Sequence, residues 1–119
     1  MHHALFYVYD LVDAIVKVAK SKYANQIYNI GSGKETSVNK IASLIGGNKI
    51  YIPKRPGEPD RSCADIKKIR SHLKWKPRIN IEQGINTLLN NIADWKNSPV
   101  WTPKKIKEAT KDWFKTLKK

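Results

Sequence analysis

Residues 26–38 read Gln-Ile-Tyr-Asn-Ile-Gly-Ser-Gly-Lys-Glu-Thr-Ser-Val. An apolar run, a glycine turn and a polar helix start follow one another, which is the order of a strand, a turn and a helix. Two glycines spaced Gly31-x-Gly33 invite a dinucleotide-binding reading. That motif needs a third small residue three positions on, so that helix and strand can pack closely. Thr36 stands there instead. A P-loop fails too, because Gly33-Lys34 is followed by Glu35 and no glycine lies five residues before Gly33. The stretch therefore predicts a plain strand-to-helix turn in a mixed α/β (α+β) domain.

Working outward, the same alternation of apolar runs and turn residues continues. Leu5–Tyr9 and Lys49–Ile52 have strand character, as does Gln26–Ile30. Asp10 is placed to cap a helix to Lys20, with Leu11, Val12, Ile15, Val16 and Ala19 at helical spacing. Ser37 or Thr36 caps a helix to Ile45, stopped by Gly46-Gly47. Asp65 caps a short helix around Ile66, Ile69 and Leu73, which Trp75-Lys76-Pro77 breaks. Asn80 caps a helix from about Ile81 to Trp95. Thr102-Pro103 opens a last helix to about Leu117, with Ile106, Ala109, Trp113, Phe114 and Leu117 as its stripe. The expected architecture is a few short strands with about five helices, divided at residue 95 from a linker and Lys-rich helix over 96–119.

The chain has 119 residues, 40% hydrophobic and 28% charged, enough for one compact domain and unlike a disordered chain. No apolar run approaches the roughly 18–20 residues needed to span a bilayer. Met1–Asp10 carries no Lys or Arg, so no signal peptide is expected. A cytoplasmic protein is expected. Cys63 is the lone cysteine and reads as an inert thiol; with His2, His3 and His72 it makes no spaced metal set. His2 and His3 fit a tag remnant or a natural start equally, and His72 reads as a surface or packing residue.

The formal charge is +13, from 19 Lys and 4 Arg against 10 acidic residues. Such a balance raises nucleic acid as a partner. Scarce Arg, abundant Ile and Asn, and aromatics that do not alternate with basic residues favour a solvated Lys-rich surface. Neither specific nucleic acid nor a membrane is expected as a partner. The chemically suggestive stretch is Lys54-Arg55-Pro56-Gly57-Glu58-Pro59-Asp60. Arg55 offers a planar fork for phosphate and Glu58 an acceptor for hydroxyls, on a loop stiffened by prolines.

Taken in order, Tyr7-Val8-Tyr9-Asp10-Leu11-Val12-Asp13-Ala14, Ile27-Tyr28-Asn29-Ile30-Gly31-Ser32-Gly33, Thr36-Ser37-Val38, Arg55-Pro56-Gly57-Glu58, Ala64-Asp65-Ile66-Lys67-Lys68 and Leu73-Lys74-Trp75-Lys76-Pro77 resemble one family. It is the C-terminal part of the nucleotide-sugar epimerases and dehydratases, the extended short-chain dehydrogenases/reductases. The resemblance runs from about Leu5 to Trp95. It implies that Arg55 holds the diphosphate of a UDP- or dTDP-linked sugar and that Glu58 lies near the ribose. It also implies an NAD(P)-binding Rossmann domain in a longer chain, with no cofactor bound by this portion alone. The family's chemistry needs a Tyr-x-x-x-Lys pair. Here Tyr7, Tyr9, Tyr23, Tyr28 and Tyr51 are followed four residues later by Leu11, Asp13, Ile27, Ser32 and Arg55, none of them lysine. The family's arginine before the first segment is also missing, with His3 near its place. The chain is therefore expected to be inactive alone, and no catalytic residue is assigned. A stand-alone nucleotide or nucleotide-sugar binding module and a basic nucleic-acid-binding domain are the alternatives. Without its Rossmann partner, the face of the Gln26–Ile30 strand and the Asp10–Lys20 helix that would pack against it would be bare, so a homo-oligomer is expected.

Overall fold

A computed structural model describes residues 1–117; Lys118 and Lys119, at the end of the 96–119 segment, lie outside the described residues. Three two-residue strands form one small sheet: β1 (His2–His3), β2 (Thr36–Ser37) and β3 (Arg61–Ser62). β1 is central, antiparallel to β2 (His2 opposite Ser37) and parallel to β3 (His2 opposite Arg61). The helices are α1 (Val8–Ala19), α2 (Val38–Ile45), α3 (Lys67–Leu73), α4 (Ile81–Asn90), α5 (Pro103–Ala109) and α6 (Lys111–Leu117), with a 3₁₀ turn at Ile92–Trp95. The mixed α/β class stands.

The strands lie elsewhere than the apolar runs. Leu5–Tyr9, Gln26–Ile30 and Lys49–Ile52 form no ladder. A strand exists only where a second strand satisfies its backbone, and strand-like composition does not supply one. The pairing goes instead to the polar ends of the loops, including His2-His3.

The helix ends follow local chemistry. Ser37 accepts from the Lys40 amide at 3.1 Å and caps α2, which stops at Gly46 with φ +85°. Asn80 and Gln83 form a reciprocal capping box at the start of α4. Thr102 caps α5, with Pro103 at the first helical position. Asp65 accepts from the Lys67 amide at 2.9 Å, just before α3. Asp10 is no cap. α1 begins two residues earlier, and Asp10 sits buried in its first turn.

Two long helices are broken. The Asn91 side chain donates to the Thr87 carbonyl at 2.9 Å, and α4 gives way to the 3₁₀ turn. The Thr110 hydroxyl donates to the Ile106 carbonyl at 2.8 Å, and the last helix divides into α5 and α6. In both places a polar side chain engages the carbonyl of the preceding turn, which bends or ends helices.

The core is small. Ala14, Ile66, Ile69 and Trp75 are buried together, with Val18, Tyr28, Ile30, Ala64 and Leu73 packed on them. Gly31 and Gly33 serve this core. A Cβ on Gly31 would meet Ala64 Cβ at 2.9 Å, and one on Gly33 (φ +68°) would meet Ile66 Cδ1 at 2.9 Å. Thus the glycine turn lies flush against residues 64–66, and its glycines are needed for that close approach.

A candidate anion site on the proline-rich loop

The structure brings Arg55 and Glu58 together. The turn Lys54–Asp60 closes with the Glu58 amide donating to the Arg55 carbonyl at 3.3 Å. Gly57, with φ +75°, gives the turn its left-handed step. The two side chains then form a fork: Arg55 Nη2 donates to Glu58 Oε1 at 2.7 Å, and Nε to Oε2 at 3.2 Å. The Arg55 hydrogen bond, more than its charge, holds the Glu58 carboxyl below the usual range, against a smaller opposing effect of burial. The fork is therefore complete at neutral pH. It is lost as pH falls through that lowered value, when Glu58 takes a proton.

The C-terminal helices lie over this loop. The Arg55 guanidinium sits 5.0 Å from the centre of the Trp113 ring. Trp113 Nε1 donates to the Pro56 carbonyl at 2.8 Å. Beside them a cleft of about 530 Å³ opens between Tyr51–Pro53 and the Ile106, Thr110 and Phe114 faces of α5 and α6, with Arg55, Lys107 and Lys111 also lining it. Trp113 reads in the sequence only as part of an apolar stripe. Nothing in helical spacing says which loop such a stripe will meet.

The residues at Gly31–Gly33 do not fit a dinucleotide. The close approach that would admit a pyrophosphate is filled by Ala64 and Ile66. Tyr28 offers no activated hydroxyl either. The Tyr28 hydroxyl lies 3.0 Å from His72 Nδ1, and Tyr23 stacks on that imidazole at 4.4 Å. Desolvation, then Tyr23, pushes the Tyr28 hydroxyl up, opposite to the shift a proton-donating catalytic tyrosine needs. His72 is thus a packing residue. Among the described residues no group of His, Cys, Asp and Glu could hold a metal ion.

No family model matches the chain. Individual proteins do. A "Putative UDP-glucose 4-epimerase" of Methanocaldococcus jannaschii is 42% identical over 90 residues, covering 71% of this chain and 28% of that protein. The UDP-glucose 4-epimerase of Mycolicibacterium smegmatis is 32% identical over 85 residues, covering 66% of this chain and 27% of its own length. The dTDP-L-rhamnose 4-epimerase of Burkholderia thailandensis is 31% identical over 91 residues, covering 71% and 25%. Two solved structures share the fold. RMD from Pseudomonas aeruginosa, complexed with NADPH, gives a TM-score of 0.65 at 23% identity, over 79% of this chain and 32% of that one. The Bordetella bronchiseptica enzyme WbmF, in complex with NADH, gives 0.66 at 22% identity, over 98% and 35%. This chain therefore spans about a third or less of each of these proteins. It is a relative of the nucleotide-sugar epimerases within the extended short-chain dehydrogenases/reductases, and it corresponds to one part of such a protein.

Proposed function

We infer that this chain is the C-terminal, substrate-binding portion of an NAD-dependent nucleotide-sugar epimerase or dehydratase, and that it performs no hydride transfer by itself. The observation that carries the reading is the Arg55–Glu58 fork, held on a proline-stiffened turn and backed by Trp113. A planar guanidinium already held in a two-pronged geometry matches a diphosphate as well as a carboxylate. On binding, the diphosphate of a UDP- or dTDP-sugar replaces Glu58 at Arg55. The released Glu58 carboxylate then accepts from the ribose hydroxyls.

Calorimetric titration of the chain tests this exchange. Arg55→Ala should weaken UDP binding about tenfold or more, since a hydrogen bond to a charged group is worth roughly 1.5–3 kcal/mol. Glu58→Gln should bind pyrophosphate more tightly than the parent, because the internal competitor has lost its charge. It should not gain for UDP, because the ribose contact is weakened as well. UDP affinity indifferent to Arg55 would remove the loop from the site.

The same reading assigns the bare face of α1 to the dinucleotide-binding domain of the longer protein. Val8, Val12, Ile15 and Val16 are exposed there at helical spacing. Such a stripe on a separate chain invites self-association. Light scattering of the purified chain should show a dimer or larger; a strict monomer would mean that α1 does not act as an adhesive face.

A further inference from the structure

We propose that the segment from Trp95 to Lys107 is a docking surface for an anionic lipid bilayer. It reads Trp-Lys-Asn-Ser-Pro-Val-Trp-Thr-Pro-Lys-Lys-Ile-Lys, with four lysines and no carboxylate. Its apolar side chains are not in the core. Trp95 is 56% exposed, Val100 73% and Trp101 64%. Three of the four tryptophans of the chain lie between residues 95 and 113, and only Trp75 is fully buried.

The local folding leaves this stretch exposed and holds charge beside it. The Ser98 amide donates to the Trp95 carbonyl at 2.9 Å and closes a turn. Thr102 caps α5 through the Lys105 amide at 3.3 Å, so the helix starts directly after Trp101. The Lys105 ammonium donates to the Val100 carbonyl, also at 3.3 Å. A cation is thereby held beside the most exposed aliphatic side chain of the segment. α5 turns Ile106 toward the cleft over the Arg55 loop, while Lys104 and Lys105 stay exposed.

Among the described residues no helix is long and apolar enough to cross a membrane. Lying on one makes different demands. It needs tryptophan, which favours the headgroup level, and lysines that meet anionic lipid. Both are present within thirteen residues. A nucleic-acid surface would instead call for arginine forks and aromatics spaced along a basic groove; residues 95–107 contain no arginine. The sequence-level expectation of no membrane partner rested on the absence of a spanning segment, which does not bear on surface binding.

Flotation of the full chain with vesicles decides it. The chain should rise with vesicles of phosphatidylcholine and phosphatidylserine in equal parts, and far less with phosphatidylcholine alone. Its tryptophan emission should shift to the blue on binding. The double variant Trp95→Ala, Trp101→Ala keeps every charge, yet should lose roughly tenfold in partitioning and most of the shift, because it removes the inserted apolar area. Lys104→Gln and Lys105→Gln should each cost about fivefold, and the same change at Lys17 and Lys20 of α1 less. Since both tryptophans are more than half exposed, thermal unfolding should confirm that the double variant folds like the parent. Unchanged partitioning of that variant would reduce the effect to general attraction between a cationic chain and polyanions and overturn the proposal. So would displacement of the chain from vesicles by polyuridylate with the same tryptophan dependence, which would make the surface one for single-stranded nucleic acid.

Discussion

Replacing Trp75 with alanine should remove about 3–5 kcal/mol of stability, the usual cost of deleting a large aromatic side chain from a core. Few single changes in this chain can match that. Trp75 is fully buried, and Ile69 is the other large side chain so enclosed. The core around them has four buried members and a ring of half-buried ones. A domain of this size has about 5–15 kcal/mol in total, so the loss would take a large share of the margin. Urea unfolding followed by circular dichroism should show the midpoint moving to much lower denaturant. Trp75→Phe separates volume from chemistry. The Trp75 indole N–H is buried and meets no acceptor among the described residues. Phenylalanine discards that unsatisfied donor along with part of the volume, and the two effects oppose each other. It should cost far less than alanine. An alanine variant that unfolds within 1 kcal/mol of the parent, a threshold well below the usual core cost, would mean that Trp75 is not the centre of the core.

Trp75 also shows what the sequence could and could not say. It was legible as the end of a short helix, because Lys76-Pro77 forbids continuation. That it would become fully enclosed depended on Ala14 of α1 and Ile66 and Ile69 clustering with it, which is tertiary information. The same division runs through the fold. Caps written in one residue and its near neighbours, Ser37, Asn80 and Thr102, are found where spacing predicts them. Strands, which require a distant partner, are not: β1 pairs His2 with Ser37 and Arg61, and no local pattern announces either. The failed dinucleotide motif was legible from Thr36 alone. The physical use of its two glycines was not, because it lies in Ala64 and Ile66, some thirty residues away.

At the candidate site, Arg55 and Glu58 stand three residues apart on a turn, so their meeting is nearly local. The Trp113 ring over the guanidinium is remote in sequence, and only the path of α5 and α6 brings it there. Residues 96–117 therefore do more than trail from the body of the chain: α6 backs the arginine on which the proposed diphosphate clamp depends. On the proposed reading, a change at Trp113 acts on that clamp through Arg55.

The second large effect concerns Asp10. Its carboxylate is 2% exposed. Oδ1 accepts from the Arg78 amide and Oδ2 from the Ile79 amide, each at 3.0 Å. One side chain in the first turn of α1 thus satisfies two consecutive backbone donors just ahead of the Asn80 cap of α4. The position also suits a negative charge, since the α1 N-terminus is the positive end of its dipole. Asp10→Ala would leave both part-buried amides without their acceptor. Hydrogen bonds to a charged group are worth roughly 1.5–3 kcal/mol each, and the two share one carboxylate, so a loss of about 3 kcal/mol is expected. Asp10→Asn keeps one carbonyl acceptor and should fall between parent and alanine. Hydrogen exchange localises the effect: in Asp10→Ala the Arg78 and Ile79 amides should exchange much faster, with α2 amides following only the global change in stability. If those two amides stay as protected as in the parent, Asp10 does not tie α1 to the chain ahead of α4, and that role falls to the Asp13–Arg78 ion pair, the Tyr7 ring against Gly84 and the apolar contacts of Ala14 and Val18.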